Sequence, residues 1–379
     1  MKTAIIGGGL AGLVTAIHLT RSGIPCTIFE KRHYPFHRVC GEYVSNEVVP
    51  YLSSLDIYPK ALGPAEITQL LLTSVNGKAA FLPLDLGGFG ISRYAFDYFL
   101  YRHASQMGVE FHLGTEIEEV EFREEHFTLE ANGQLYAADI VAGCFGKRSK
   151  LDVQLSRKFI QKRSPYVGVK YHIRYEDFPR DRIALHNFRD GYCGMSHVED
   201  GVLNLCYLTH RDNLKAHGSI PAMEKAVLQR NPFLHTIFNQ AEFLFEKPEV
   251  INEISFETKG PVENHILMTG DAAGMITPLC GNGMAMAIHS AKILSEHILR
   301  FCHEKQYSRG MLEADYATSW NKTFAARLDA GRKIQRLFGD EWASNLAVGL
   351  ARYGKPVANF LVSKTHGKPF DLTPAARTS

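Results

Sequence analysis

The stretch His37–Ser45, HRVCGEYVS, sets a thiol and a carboxylate two positions apart, Cys40 and Glu42, with Gly41 between them and Arg38 just before. A thiol and a carboxyl side by side can hold or deliver a proton, provided burial raises the carboxyl pKa towards neutrality. The plainer alternative is a small packed side chain at Cys40 and a solvated loop carboxylate at Glu42. Arg38 is a cation for a phosphate or a substrate, or else a surface arginine. The chemistry of the stretch depends on what lies beside it.

What lies before it is a glycine turn. Gly7-Gly8-Gly9-Leu10-Ala11-Gly12 fits GxGxxG. Gly7 permits a tight turn, Gly9 lets the backbone approach a pyrophosphate, and Gly12 lets helix and strand pack closely. A helix opening at Leu10 and Ala11 offers free N–H groups and a positive dipole end to phosphate. Glu30 closes the next strand, where a carboxylate accepts hydrogen bonds from a ribose diol and repels a 2′-phosphate, and Lys31 beside it is a further cofactor-binding candidate. Together these predict a dinucleotide site that is not a primary NADP site. Far along the chain, Gly270-Asp271-Ala272-Ala273-Gly274 is followed by Pro278, Cys280, Gly281, Gly283 and Met284. An aspartate at a strand end, ahead of a glycine-opened helix, suits a second contact to the same nucleotide. Met275, Met284 and Met286 read as core beside that cofactor rather than as a ligand set.

The elements that must position these groups follow from periodicity. TAIIGGG is a buried strand, LAGLVTAIHLTRSG a helix stopping at Gly23, and PCTIFEK a second strand, making one βαβ unit. Ser92 can cap a helix running to Gly108, and Asn132-Gly133 is a hairpin turn signal. From Tyr166 the alternation is strict: Val167, Val169, Tyr171, Ile173 and Tyr175 on one side, Lys170, His172 and Arg174 on the other. That pattern predicts a sheet with one wet face. His172, His197 and His210 lack metal spacing and read as wet-face histidines, so no metal is expected. NHILMTGDAAG returns to a buried strand, a long helix opens at Gly283, and the chain beyond Met311 is helical and amphipathic. Those late helices read as a packed cap, with membrane-surface contact as the alternative.

Composition sets outer bounds. The chain has 379 residues, 45% hydrophobic and 22% charged, with net charge +2. This is an ordinary globular balance and gives no sign of a nucleic-acid partner. Seven scattered cysteines with no CxxC pair read as reduced thiols in a cytoplasmic protein. The N-terminus enters a strand pattern at once, so no signal peptide is expected, and no run approaches the ~18 apolar residues of a spanning helix.

The paired glycine motifs resemble the large FAD-binding family of aromatic hydroxylases, flavin-dependent halogenases and geranylgeranyl reductases, over roughly residues 1–330. GDAAG…P…GNGM and VCGEYVS look most like the reductase branch. ISRYAFDYFL resembles the family's Arg…Asp…Leu segment. The resemblance implies FAD as cofactor, with Arg38, Val39, Cys40, Gly41 and Arg93 near it, and the backbone of Ile117 on the strand after the Arg93 helix at adenine. There are departures. In GCFGKRSKLD, Phe145 and Asp152 stand where the family has Asp and Arg, while Gly146 and Ser149 remain. GYCGMSH keeps Tyr192 of the reductases' Tyr-x-Trp-x-Phe-Pro, with Gly194 in place of Trp. Aromatic hydroxylases usually carry His at Gly274. The halogenase WxWxIP signature is absent.

The resulting expectation is an α/β protein: a Rossmann-like FAD/NAD(P)-binding domain, with an inserted antiparallel β-sheet substrate domain and C-terminal helices. Residues 1–65, 91–155 and 260–310 form the discontinuous FAD-binding domain, 66–90 and 156–259 the substrate domain, and 311–379 the C-terminal helical region. The expected activity is reduction of C=C bonds in an apolar, prenyl- or polyene-like substrate by hydride from N5 of reduced flavin. Cys40 and Glu42 are the acid candidates, with Tyr192 and Cys280 at the substrate pocket. The alternatives are an NAD(P)H-dependent FAD monooxygenase hydroxylating an aromatic or polyketide-like substrate, and a non-catalytic or electron-relay flavoprotein. The expected partners are a small apolar organic substrate and an external electron donor, NAD(P)H or a redox protein. The expected location is the cytoplasm, with a peripheral membrane position as an option.

Overall fold

The computed structural model describes residues 1–335 except 253 and 278–280, together with 342, 344–346, 348–349 and 369–370. The chain opens with β1 (Thr3–Ile6), α1 (Leu10–Arg21), β2 (Cys26–Glu30), β3 (Tyr43–Ser45), α2 (Val49–Ser54), β4 (Ala65–Thr73) and β5 (Ala79–Gly90). There follow α3 (Arg93–Gln106), β6 (Glu110–Leu113), β7 (Glu119–Arg123), β8 (His126–Ala131), β9 (Gln134–Ala138), β10 (Ile140–Gly143) and α4 (Lys150–Gln154). The middle of the chain gives β11 (Tyr166–Arg174), β12 (Arg182–Phe188), β13 (Gly191–His197), β14 (Leu203–His210), α5 (Arg211–His217), α6 (Ile220–Ala226) and α7 (Pro232–Gln240). The last elements are β15 (Glu242–Phe243), β16 (Glu249–Asn252), β17 (Val262–Glu263), β18 (Ile266–Met268), α8 (Gly283–His303) and α9 (Arg309–Gln335).

A six-stranded sheet, in the order β17-β18-β10-β1-β2-β6, forms the first layer. Its strands run parallel except β17. β1 and β10 are buried at every position, as expected for parallel strands covered on both sides. Leu13 and Ile17 of α1, Phe96 of α3, and Leu294 and Ile298 of α8 share one core with that sheet. Both glycine motifs sit at the carboxyl ends of parallel strands, where α/β sheets bind ligands. Ser92 caps α3 by accepting from Ala95 N at 3.0 Å. A three-stranded sheet, β7-β8-β9, turns at Asn132 and Gly133, which both adopt positive φ, 51° and 74°.

The nine-stranded sheet has the order β15-β11-β14-β13-β12-β4-β5-β3, with β16 also on β11. β3 pairs with β5, Tyr43 opposite Gly90, so the residues just after Glu42 belong to this sheet rather than to the cofactor layer. A three-residue strand is too short for alternation to reveal. One face of the sheet packs Val169, Tyr171, Met195 and Leu205 against Met223, Leu228, Leu234 and Ile237. The other face is not wet. Lys170, His172, Asn204 and Ser196 are buried on it, because it lies against the loop that precedes β3. His197 is buried as well, its Nε2 3.0 Å from Phe178 O, while His210 stays half-exposed and caps α5.

α9 closes the first layer: the Tyr316 hydroxyl donates to Met268 O at 2.5 Å, and Trp320 packs over Gly274. A Cβ on Gly274 would lie 2.8 Å from the Trp320 ring, which accounts for glycine at this position. Among the described residues, no helix is long and apolar enough to cross a membrane. The two layers also meet where β5 runs into α3. Ser92 N donates to Glu199 Oε2 at 2.8 Å, and a Cβ on Gly90 would lie 1.8 Å from His197 O. Gly90→Ala therefore forces backbone apart at that joint. We expect a loss of roughly 1–3 kcal/mol or more, read as a lower urea midpoint; an unchanged midpoint would refute the close approach.

Candidate functional site

The first glycine turn is built for close packing on one side and openness on the other. Gly7 has φ +107°, and a Cβ there would meet Cys144 O at 2.5 Å. A Cβ on Gly12 would meet Gly7 O at 2.0 Å. Gly9 differs: a Cβ there finds only Arg93 Nη2, at 3.5 Å. Gly9 precedes α1 as its N-cap and supplies no side-chain cap, and the first turn holds no acid, so the opening N–H groups are left for an anion. Glu30 Oε2 accepts from Gly8 N at 2.9 Å and from Arg38 Nη2 at 3.2 Å, while Oε1 accepts from Arg32 N at 3.0 Å. The Tyr34 hydroxyl donates to Gly8 O. Asp97 receives both Arg93, bidentate at 2.7 Å, and Arg38 Nε at 3.2 Å. Two guanidinium groups and two carboxylates thus border the turn. Lys31 points instead to Glu116 at the surface, 3.3 Å away. Ile117 is buried, but in the connection after β6, not on that strand.

The second motif is held from below by two cations that spacing alone did not single out. Gly270 adopts φ +61° and its N–H donates to Ser290 Oγ at 2.9 Å. Arg157 Nη1 donates to Ala272 O at 2.9 Å and Nη2 to Gly260 O at 3.1 Å. Arg157 is itself held by Asp152 at 2.9 Å, and Asp152 completes a capping box with Ser149 at the start of α4. Asp152, out of pattern in the sequence, thus stations an arginine elsewhere. Lys259 Nζ donates to Asp271 O at 2.9 Å and Lys147 O at 2.7 Å. Burial lowers its pKa to about 8. Gly281 adopts φ +62° close to Tyr43, and Met284 is buried at the start of α8. Cys280 lies outside the described residues.

Between the motifs, the loop 37–42 is clamped to the nine-stranded sheet. Glu42 has φ +54° and is fully buried. Its Oε1 accepts from Arg93 N at 2.8 Å and from Lys170 Nζ at 2.5 Å; its Oε2 lies 2.7 Å from His172 Nε2. Burial alone would raise its pKa. Lys170 and then His172 outweigh burial, and the pKa falls from 4.5 to about 2. Glu42 is therefore an ionised anchor at neutral pH, neither the solvated loop carboxylate nor the raised-pKa acid that the sequence allowed. Asn204 Nδ2 donates to Cys40 O at 3.2 Å, and Val39 lies against Gly168. Lys147 Nζ donates to Val39 O at 3.3 Å. Cys40 is half-buried, and Gly41 is exposed with nothing within 4 Å of a Cβ. His37 stacks on Tyr94 at 4.6 Å and meets His172 edge-on at 5.1 Å. Its pKa is lowered to about 4 by burial and then by Lys170. Tyr192 is buried among Leu208, Ile254 and Met275.

The profile of the FAD binding domain family matches residues 1–315, and the chain belongs to that family. It is 24% identical to digeranylgeranylglycerophospholipid reductase 2 of Methanopyrus kandleri, over 89% of this chain and 86% of that protein. It is 26% identical to 3-hydroxybenzoate 6-hydroxylase of Klebsiella oxytoca, over 78% of this chain and 79% of that one. The flavin-dependent brominase Bmp2 has the same fold, with a TM-score of 0.78 at 17% identity over 98% of this chain and 95% of its own. The chain is an FAD-dependent oxidoreductase, and its cofactor is FAD. The uncapped α1 terminus, the open side of Gly9 and the exposed Gly41 backbone fit that group.

The Glu42 cluster has a pH signature. A carboxyl whose folded pKa lies below its unfolded value contributes stability above the unfolded pKa, and that contribution is lost as pH falls through the folded one. We expect the urea midpoint of the wild type to fall between about pH 4.5 and 2 more steeply than that of Glu42→Gln, which starts lower at neutral pH. Parallel pH profiles for the two proteins would contradict the ionised anchor.

Proposed function

We propose that this chain reduces a carbon–carbon double bond of an apolar substrate lying on the nine-stranded sheet beside the loop 37–42. The observation that carries the reading is Cys40: a half-buried thiol whose backbone carbonyl is tied to the sheet by Asn204. Gly7, Gly9, Leu10, Ala11 and Gly12 would hold the pyrophosphate of FAD, with Arg38 and Arg93 near it, Glu30 the ribose, and Gly270, Asp271, Gly281 and Gly283 the flavin end. Bound in its reduced form, FAD supplies the hydride. Addition across the double bond also needs one proton at the second carbon. Cys40 Sγ holds that proton and regains one from solvent. Glu42, ionised, is a positioning residue: it fixes the loop that carries Cys40 and the first turn of α3. Tyr192 and its apolar neighbours wall the substrate side. The electron donor is NAD(P)H or a redox protein, and Phe145 in place of the family's aspartate supports a donor without a built-in NADPH pocket.

A second reading, an FAD monooxygenase, is supported by the hydroxylase relative, which matches about as much of the chain as it does of itself. The two readings part over oxygen. We expect dithionite-reduced holoenzyme, mixed anaerobically with geranylgeraniol, to reoxidise its flavin and yield a product with one fewer double bond. Cys40→Ala should keep its FAD and slow that step by about 10²–10⁴-fold. Reoxidation that requires oxygen, with a hydroxylated product, would replace this reading by the second. Loss of FAD from Cys40→Ala would assign Cys40 to packing.

A further inference from the structure

One row of residues crosses the middle of the nine-stranded sheet on the face turned towards the loop 37–42. Register sets Leu185 of β12 beside Gly194 of β13, Gly194 beside Cys206 of β14, and Cys206 beside Lys170 of β11. The Lys170 end is closed by Glu42. The rest of the row is only partly covered: Leu185, Gly194 and Cys206 are half-buried, and so is Leu70 on β4 nearby, with Leu70 and Leu185 packed at their far edge against Leu72, Leu82 and Val348. The opposite face of these same strands is sealed by Ala184, Met195 and Leu205. A Cβ on Gly194 would meet nothing closer than Cys206 O and Leu185 Cδ2, both at 3.7 Å. Glycine weakens a strand interior, and it is found there where something else approaches the backbone.

The neighbouring row carries a second observation. It runs through Asn204 and Ser196, both fully buried. Asn204 Oδ1 and Ser196 Oγ are buried without a hydrogen-bond partner. Buried polar atoms are normally satisfied, so these two mark a place for a ligand's polar group. Asn204 spends its donor on Cys40 O, which leaves an acceptor that needs an O–H or N–H. On the other flank, Tyr192 and Leu208 continue the apolar wall with Met275 and Ile254.

We infer that Leu185, Gly194 and Cys206 form the floor of the substrate site, and that Gly194 and Asn204 set its specificity. The ligand class is an apolar molecule with a hydroxyl. Its body lies over Gly194, Leu185 and Leu70, where a side chain is missing, and its hydroxyl donates to Asn204 Oδ1. This rests on the proposed reaction of an apolar substrate at the same site.

The test uses the holoenzyme and two readouts. Farnesol and its methyl ether are titrated against the visible spectrum of bound FAD. Methylmercury labelling of Cys206, followed by peptide mass, needs no substrate. Farnesol should perturb the wild-type flavin, and the ether should bind about tenfold more weakly or worse. Gly194→Leu should keep FAD, lose the farnesol response and slow Cys206 labelling by about tenfold. Gly194→Ala, whose methyl fits at 3.7 Å, is the folding control and should still respond to farnesol. Equal binding of alcohol and ether would overturn the role of Asn204. Unchanged Cys206 labelling in Gly194→Leu, or a wild-type farnesol response that Gly194→Leu keeps in full, would overturn the floor. If farnesol leaves the wild type unmoved while Gly194→Leu still shields Cys206, the floor stands and the reading of a prenyl-like substrate falls.

Discussion

The structure turns on one buried carboxylate. Glu42 reaches the start of α3 through Arg93 N and the face of β11 through Lys170 and His172. Charges taken out of water are costly unless they are paired and hydrogen-bonded, so each of these groups is tolerable only where the others are. The pairing fixes more than the charges. A non-glycine residue at φ +54° is held by its surroundings, and here the holding contacts come from both layers at once. Cys40 and Gly41, immediately before it, are thereby presented between the FAD-binding layer and the sheet.

Much of this frame was legible in the residues. GxGxxG followed by a helix and an acid-ended strand told the turn, α1 and Glu30, because each glycine there answers a local steric demand. Ser92 and Asn132-Gly133 told a helix start and a hairpin for the same local reason. What periodicity cannot tell is what covers a face. Lys170 and His172 alternate like solvent-facing residues, yet they are buried, because their counter-charge comes from Glu42, 128 and 130 positions earlier. The same limit hid Arg157, which answers Asp152 nearby but acts on carbonyls at Gly260 and Ala272. Gly274 also made sense only once Trp320, on a helix far along the chain, was seen packed against it.

The proposed site joins a cofactor end of glycine turns and ion pairs to a substrate end on the sheet face. The glycine turns, Glu30 and the two arginines form the end proposed for FAD. The sheet face is charged and locked at Lys170, lacks a side chain at Gly194, and is apolar towards Leu185 and Tyr192. Reduction and hydroxylation would both place a substrate there. They differ in what the flavin delivers and in whether Cys40 must give a proton.

The central claim is that Glu42 and Lys170 stabilise the two-layer arrangement as a coupled pair. A double-mutant cycle on the FAD-bound protein, with Glu42→Gln, Lys170→Met and both together, tests it most directly. Each single change should cost about 3–5 kcal/mol by stranding a buried charge, and the double variant should be more stable than the sum of the singles requires, by well over 1 kcal/mol. Simple additivity of the two losses would contradict the account.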